Sequence, residues 1–261
     1  MCGRAAVLLS FIAVATAYGE DPPAGDGGRK NGAYTLSGTP AELVGAEAAK
    51  SISAVLSPDV TVTWEVVVPE SYDPARPAGL LVYISPSDSG QLPRGWGLLL
   101  EDRNLIWVAA NGSGNRQYVA RRIALAVLAT GALAGTYTID PARVYLSGYS
   151  GGARVAGLLA PSYPAVFRGA LYIGGAELWD QPGGPPNLQA MRRNRYAFLV
   201  GSDDDVNRVN ARRVQDAYLA AGISDTEMII ARRTGHAIPE LRYVSAAFAF
   251  LDAAPGATGE R

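Results

Sequence analysis

The sequence predicts a single-domain α/β fold, with a mostly parallel central sheet, helices on both faces and no large lid. Two observations predict it. Short β-branched apolar runs alternate with longer stretches of helical periodicity from residue 34 onward, which is how βα units stack into one covered sheet. At 261 residues, 48% hydrophobic and 18% charged, the chain is large enough for one substantial core, and no internal repeat or second domain interrupts it.

The expected strands are 61–68, 79–85, 105–110, 143–147, 170–173, 196–201 and 227–232. Between them, Val119, Ile123 and Val127 recur at four-residue spacing and give the segment 116–133 an apolar helical face. The final helix is expected to start at Pro239, a residue suited to a first helical position. Leu241, Val244, Phe248 and Leu251 then follow on one face.

The ends of the chain read differently. Arg4, the apolar run AAVLLSFIAVA and the small-x-small triplet Ala15-Thr16-Ala17 form the pattern of a secretory signal peptide spanning 1–17. Residues 18–33 are rich in Gly, Pro and charge and read as a flexible leader, the folded domain as 34–255, and 256–261 as a flexible tail. The expected location is therefore secreted or periplasmic, with no membrane attachment once the signal is removed. Cleavage removes Arg4 and the sole cysteine, Cys2, taking the formal charge from −1 to −2. A disulfide framework and a cysteine nucleophile are both excluded from the mature chain. Arginines occur as scattered pairs (121–122, 192–193, 212–213, 232–233) and not as a basic stripe, so nucleic acid is not expected as a partner.

The chemistry concentrates at Gly148-Tyr149-Ser150-Gly151-Gly152. Ile139-Asp140-Pro141 is a turn signal, Val144-Tyr145-Leu146 a buried strand, and 152–160 a run of small and apolar residues suited to a helix packed close to a sheet. Gly-x-Ser-x-Gly at such a junction is the pattern of a nucleophile elbow, whose glycines allow strand and helix to approach beside a strained serine. A base must follow, and the chain holds one histidine: His236, on the loop between the last expected strand and the last helix. An acid must lie between them. The strand 196–201 runs into Ser202-Asp203-Asp204-Asp205, and spacing favours Asp205, with Asp204 as the alternative and a neighbouring aspartate capping the next helix. Asp180 is a more distant fourth candidate.

Two metal readings fail. Asp203-x-Asp205-x-Asn207 opens like a calcium loop, but Arg208 stands at the sixth position where Gly is required and Val214 at the twelfth where Glu is required. One histidine and no mature cysteine make a poor zinc site.

Strand, Gly-Tyr-Ser-Gly-Gly, aspartate cluster and Gly-His, with TIDPARVYLSGYSGGARVA in front, resemble an α/β-hydrolase. Over most of 60–253 the chain is similar to secreted esterases grouped around poly(3-hydroxybutyrate) depolymerases, feruloyl esterases and acetylxylan esterases. That resemblance implies ester hydrolysis through an acyl-enzyme and without a cofactor, with Ser150 as nucleophile, His236 as base and one of the aspartates 203–205 orienting it. Export, a cofactor-free triad, no sizeable lid insertion and no long apolar segment beyond the signal peptide point to an open cleft that admits a small soluble ester or an acyl group on a polymer. Many such esterases carry His-Gly after the third strand; here the strand runs into Ser85-Pro86-Ser87. Pro86 has no N–H, so Ser87 and Gly151 are the expected oxyanion-hole donors. Tyr149 and Trp179 are candidate substrate contacts, with simple packing beside the cleft as the alternative for each. The rival readings are a peptidase of the same fold and a non-catalytic binding protein on the same scaffold.

Overall fold

A computed structural model describes residues 30–179, 184–185 and 187–253. The expected signal peptide, most of the leader, the tail and Asp180 lie outside the described residues. An eight-stranded sheet runs in the order β1-β2-β4-β3-β5-β6-β7-β8. Its strands are β1 (Gly32–Gly38), β2 (Val62–Val68), β3 (Ala78–Ile84), β4 (Leu105–Ala110), β5 (Ile139–Tyr149), β6 (Gly169–Ile173), β7 (Arg195–Gly201) and β8 (Thr226–Ala231). β1 pairs antiparallel with β2 and β2 antiparallel with β4; the pairings from β4 through β3, β5, β6 and β7 to β8 are all parallel.

Burial follows from position in the sheet. Every residue of β3, β4, β6 and β7 is buried, as expected of continuous apolar runs with helices on both faces. Alternate residues feed two separate cores: Leu80, Val82 and Ile84 enter one, Leu81 and Tyr83 the other. The larger core lies under the helices α4 (Val119–Ala134), α5 (Gly151–Ser162) and α7 (Asp205–Ala220), which contribute Leu125, Leu128, Val155, Leu159, Val214 and Tyr218 to it. The smaller lies under α3 (Trp96–Asp102) and α8 (Leu241–Leu251), with Trp96, Tyr83 and Trp107 packed ring against ring. Three short helices, α1 (Pro40–Val44), α2 (Ala46–Lys50) and α6 (Leu188–Met191), complete the described set.

Three local departures from the sequence reading have physical causes. β1 was not among the expected strands, and Gly32 and Ala33 fall in the segment read as leader. Only alternate residues of this edge strand face the protein, with Tyr34 and Leu36 packed on the core, so it has half the apolar signal of a central strand. The turn residues 140–142 are absorbed into β5 as an irregularity: its pairing with β3 jumps from Ala78↔Ile139 to Leu80↔Val144, and Asp140 Oδ1 accepts from the Ala142 N–H at 2.9 Å. The last helix starts at Leu241, with Glu240 in the capping position and Pro239 outside it.

Candidate active site

β5 ends at Tyr149, α5 begins at Gly151, and Ser150 between them has φ 54° and ψ −120°. This backbone conformation is strained for a residue with a side chain. Helix α5 turns back so sharply that a β-carbon at Gly152 would lie 2.8 Å from the Ile84 carbonyl carbon, and one at Gly148 would lie 2.7 Å from the Ala153 nitrogen. Glycine at both positions is therefore a packing requirement of the elbow.

The ends of β7 and β8 bring the partners. The loop after β7 is stitched to the loop after β8: the Asp203 N–H donates to Thr234 O at 2.9 Å and the Arg233 N–H to Ser202 Oγ at 2.8 Å. His236 is thereby placed with Nε2 2.9 Å from Ser150 Oγ and Nδ1 2.6 Å from Asp204 Oδ2. The Asn207 carboxamide, in the first turn of α7, donates to Asp204 Oδ1 at 2.9 Å and Oδ2 at 3.0 Å, and its own oxygen accepts from Arg154 Nη2 at 3.1 Å. Burial opposes ionisation of Asp204, but the hydrogen bonds from His236 and Asn207 outweigh it and lower its pKa below the usual 3.8.

His236 thus meets Asp204, and the expectation of Asp205 is corrected by one residue. Asp205 is the first residue of α7, and its carboxylate turns along the helix to pair with Arg208, three residues on. Asp203 accepts from Ser202 Oγ at 2.8 Å. For Tyr149 the sequence leaves substrate contact and packing open. Its ring packs against the His236 imidazole with centroids 5.2 Å apart, and its hydroxyl donates to the His236 carbonyl at 2.8 Å. Trp179, half-buried, packs against Tyr218, a fully buried ring on α7, at 5.3 Å.

The two expected oxyanion donors differ. Gly151 is the first residue of α5, so its N–H has no acceptor within the helix. The Ser87 N–H is turned to Ser85 Oγ at 3.2 Å within its own loop. Two residues that sequence reasoning missed organise this side of the site. Buried Arg122 reaches three carbonyls: Nε to Ser113 O at 2.8 Å, Nη2 to Ser85 O at 3.0 Å and Nη1 to Gly151 O at 3.3 Å. Burial lowers its pKa against the pull of Asp88. The carboxamide of Asn115 lies against Gly151. Arg122 follows Arg121 in sequence and reads as half of a solvated pair, although its place on the apolar side of the 116–133 periodicity was a signal.

No protein-family model matches the chain, and no curated protein matches it in sequence. Solved structures do match. A ferulic acid esterase superposes with TM-score 0.57 at 12% identity, covering 84% of this chain and 96% of that one. A protein described as a dienelactone hydrolase from Klebsiella pneumoniae subsp. pneumoniae MGH 78578 does so with TM-score 0.56 at 13% identity and the same coverage, 84% and 96%. The chain has the α/β-hydrolase fold. Dipeptidyl peptidase 4 of Porphyromonas gingivalis shares this fold with TM-score 0.56 at 17% identity, over 76% of this chain but only 34% of the peptidase. A thermostable esterase matches with TM-score 0.51 at 16% identity, over 67% of this chain and 52% of its own. The chain therefore spans about half of that esterase and about a third of that peptidase.

Two outcomes follow from the site's geometry. Strain at Ser150 implies that Ser150→Gly is more stable than Ser150→Ala by about 1 kcal/mol. Relief of a residue held at such angles is worth about 1–3 kcal/mol, less the extra freedom glycine gains in the unfolded chain. Urea unfolding of the two variants measures the difference. The lowered Asp204 pKa means that its ionised form stabilises the fold above the ordinary carboxylate value, and that this contribution is lost as pH falls through the lowered one. The stability gap between the parent and Asp204→Asn accordingly narrows on acidification from pH 7 to below about 4, followed by thermal unfolding across that range.

Proposed function

We propose that this protein is an exported serine hydrolase that cleaves carboxylic esters, acting on small soluble esters or on acyl groups that protrude from a polymer. One observation carries the reading: the unbroken run of hydrogen bonds from Ser150 Oγ through His236 to Asp204, with the serine on a strained elbow. Three residues from three loops meet in this order only when each is held for it, and a scaffold that had become a binding protein would have no use for the strain.

The chemistry runs as follows. Ser150 Oγ adds to the ester carbonyl carbon while His236 Nε2 takes its proton, and the carbonyl π pair moves onto oxygen. The Gly151 N–H meets that developing charge. When the tetrahedral centre collapses, the C–O bond to the alcohol breaks and the alcohol leaves with the proton from His236. Water, deprotonated by the same imidazole, then attacks the acyl-serine and releases the acid.

Short acyl groups suit the site. The His236 side chain is 43% exposed, so the catalytic groups lie in an open cleft.

A fluorophosphonate probe and p-nitrophenyl esters test this reading. The expected result is labelling at Ser150, loss of acetate and butyrate hydrolysis to background in Ser150→Ala, and a fall on the order of 10⁴ in kcat for Asp204→Asn. Asp205→Asn remains within a few-fold of the parent. Butyrate turns over faster than palmitate, with no jump in rate when palmitate droplets form. Labelling at another residue, or an active Ser150→Ala, would overturn the serine mechanism; a preference for palmitate would overturn the open cleft.

A further inference from the structure

An oxyanion hole needs two donors converging on one point, and the segment expected to supply the second does not present it. Pro86 has no N–H, and the Ser87 N–H already donates to Ser85 Oγ at 3.2 Å. The neighbouring loop between β4 and α4 fills the gap. There the carboxamide of Asn115 lies so close to Gly151 that a β-carbon at residue 151 would run into its Oδ1 and stand 2.7 Å from its Cγ and 2.9 Å from its Nδ2. The Asn115 amide therefore lies against Gly151, the residue whose N–H is the other donor.

The loop that carries Asn115 is fastened on several sides. Its backbone N–H donates to Pro86 O at 2.9 Å, the Gly114 N–H donates to Asp88 Oδ1 at 2.9 Å, and the Gly112 N–H donates to Asp88 O at 2.9 Å. Arg122 then ties Ser113 O of this loop to Ser85 O and Gly151 O through one guanidinium. Against that rigid backbone the Asn115 carboxamide stands out: it is exposed, and it makes no hydrogen bond among the described residues. A polar side chain held at a nucleophile, with its donor uncommitted, is preorganised for a charge that appears only during reaction. A half-turn about χ2 exchanges its oxygen and nitrogen, so the N–H can face the cleft without moving the loop.

We infer that the Asn115 side chain is the second oxyanion donor, acting with the Gly151 N–H, and is thus a catalytic residue of the reaction proposed above. The inference rests on that reading of Ser150. It also explains why residue 151 is glycine: any side chain there would displace the donor.

The test compares Asn115→Ala and Asn115→Asp with the parent, using p-nitrophenyl acetate, fluorophosphonate labelling, an arylboronic acid as mimic of the tetrahedral anion, and thermal unfolding. Asn115→Ala is expected to lower kcat on the order of 10²-fold with KM within a few-fold, as for loss of one hole donor, and to weaken the boronate by a similar factor. Asn115→Asp falls further, because a carboxylate repels the oxyanion. Neither variant changes Tm appreciably, since the side chain is exposed and unbonded. If Asn115→Ala keeps kcat within about threefold, or changes KM alone, Asn115 is only a wall of the cleft and the inference fails. Failure of the underlying reading looks different: the parent itself would neither hydrolyse the ester nor be labelled at Ser150.

Discussion

The conformation of Ser150 is the constraint around which the site is arranged. A residue at φ 54°, ψ −120° does not remain there by its own preference. It is held because β5 is locked between β3 and β6 on one side of the junction, and α5 is pressed onto the end of β3 on the other. The Ser150 N–H donates to Ile173 O at 2.8 Å, which extends the β5–β6 pairing into the elbow itself. Holding the hydroxyl above the sheet thus depends on three central strands whose residues at this end are buried, and the cost of the strained turn is spread over that packing.

Arg122 joins the elbow to the loops that face it. A guanidinium with three carbonyl partners and no carboxylate in contact is an uncommon use of a buried charge, because desolvation must be offset by those hydrogen bonds and by the attraction of Asp88 at a distance. The planar fork of arginine meets three acceptors in fixed directions, which the ammonium of lysine does not. The three carbonyls belong to the loop after β3, the loop after β4 and the start of α5. Moving any one of them disturbs the other two, so both walls of the oxyanion side share one geometry.

The sheet was largely legible because central strands in such folds are buried on both faces, and seven apolar runs appear as seven strands. β1 was hidden because an edge strand commits only alternate residues to the core. Within the site, Ser150 and His236 were legible from an elbow pattern and from a single histidine in a telling place. The acid was not: Asp203, Asp204 and Asp205 are chemically alike, and the choice depends on whether α7 begins at 204 or 205. With α7 starting at Asp205, that carboxylate points along the helix toward Arg208 and Asp204 is left facing the imidazole. Tyr149 and Trp179 show the same limit. An aromatic beside a catalytic residue has the same one-letter context whether it touches a ligand or braces a neighbouring ring.

The hydrogen-bond inventory also fixes the protonation pattern at the site. Arg154 can only donate, so the Asn207 oxygen faces it and the Asn207 nitrogen faces Asp204. An ionised Asp204 can only accept, so the His236 nitrogen 2.6 Å away carries hydrogen at Nδ1. In the neutral imidazole Nε2 is then bare, and it must accept from the Ser150 hydroxyl. Each direction follows from the one before, beginning at a guanidinium that cannot lose its proton. The 3.1 Å approach of the Asn207 nitrogen to Nδ1 is consequently a contact between two donors sharing one carboxylate, and not a further bond. Asp204, 8% exposed, anchors this order at its dry end, while the serine and imidazole meet solvent in the cleft. The tautomer that the proposed proton removal from Ser150 requires is therefore already set in this structure.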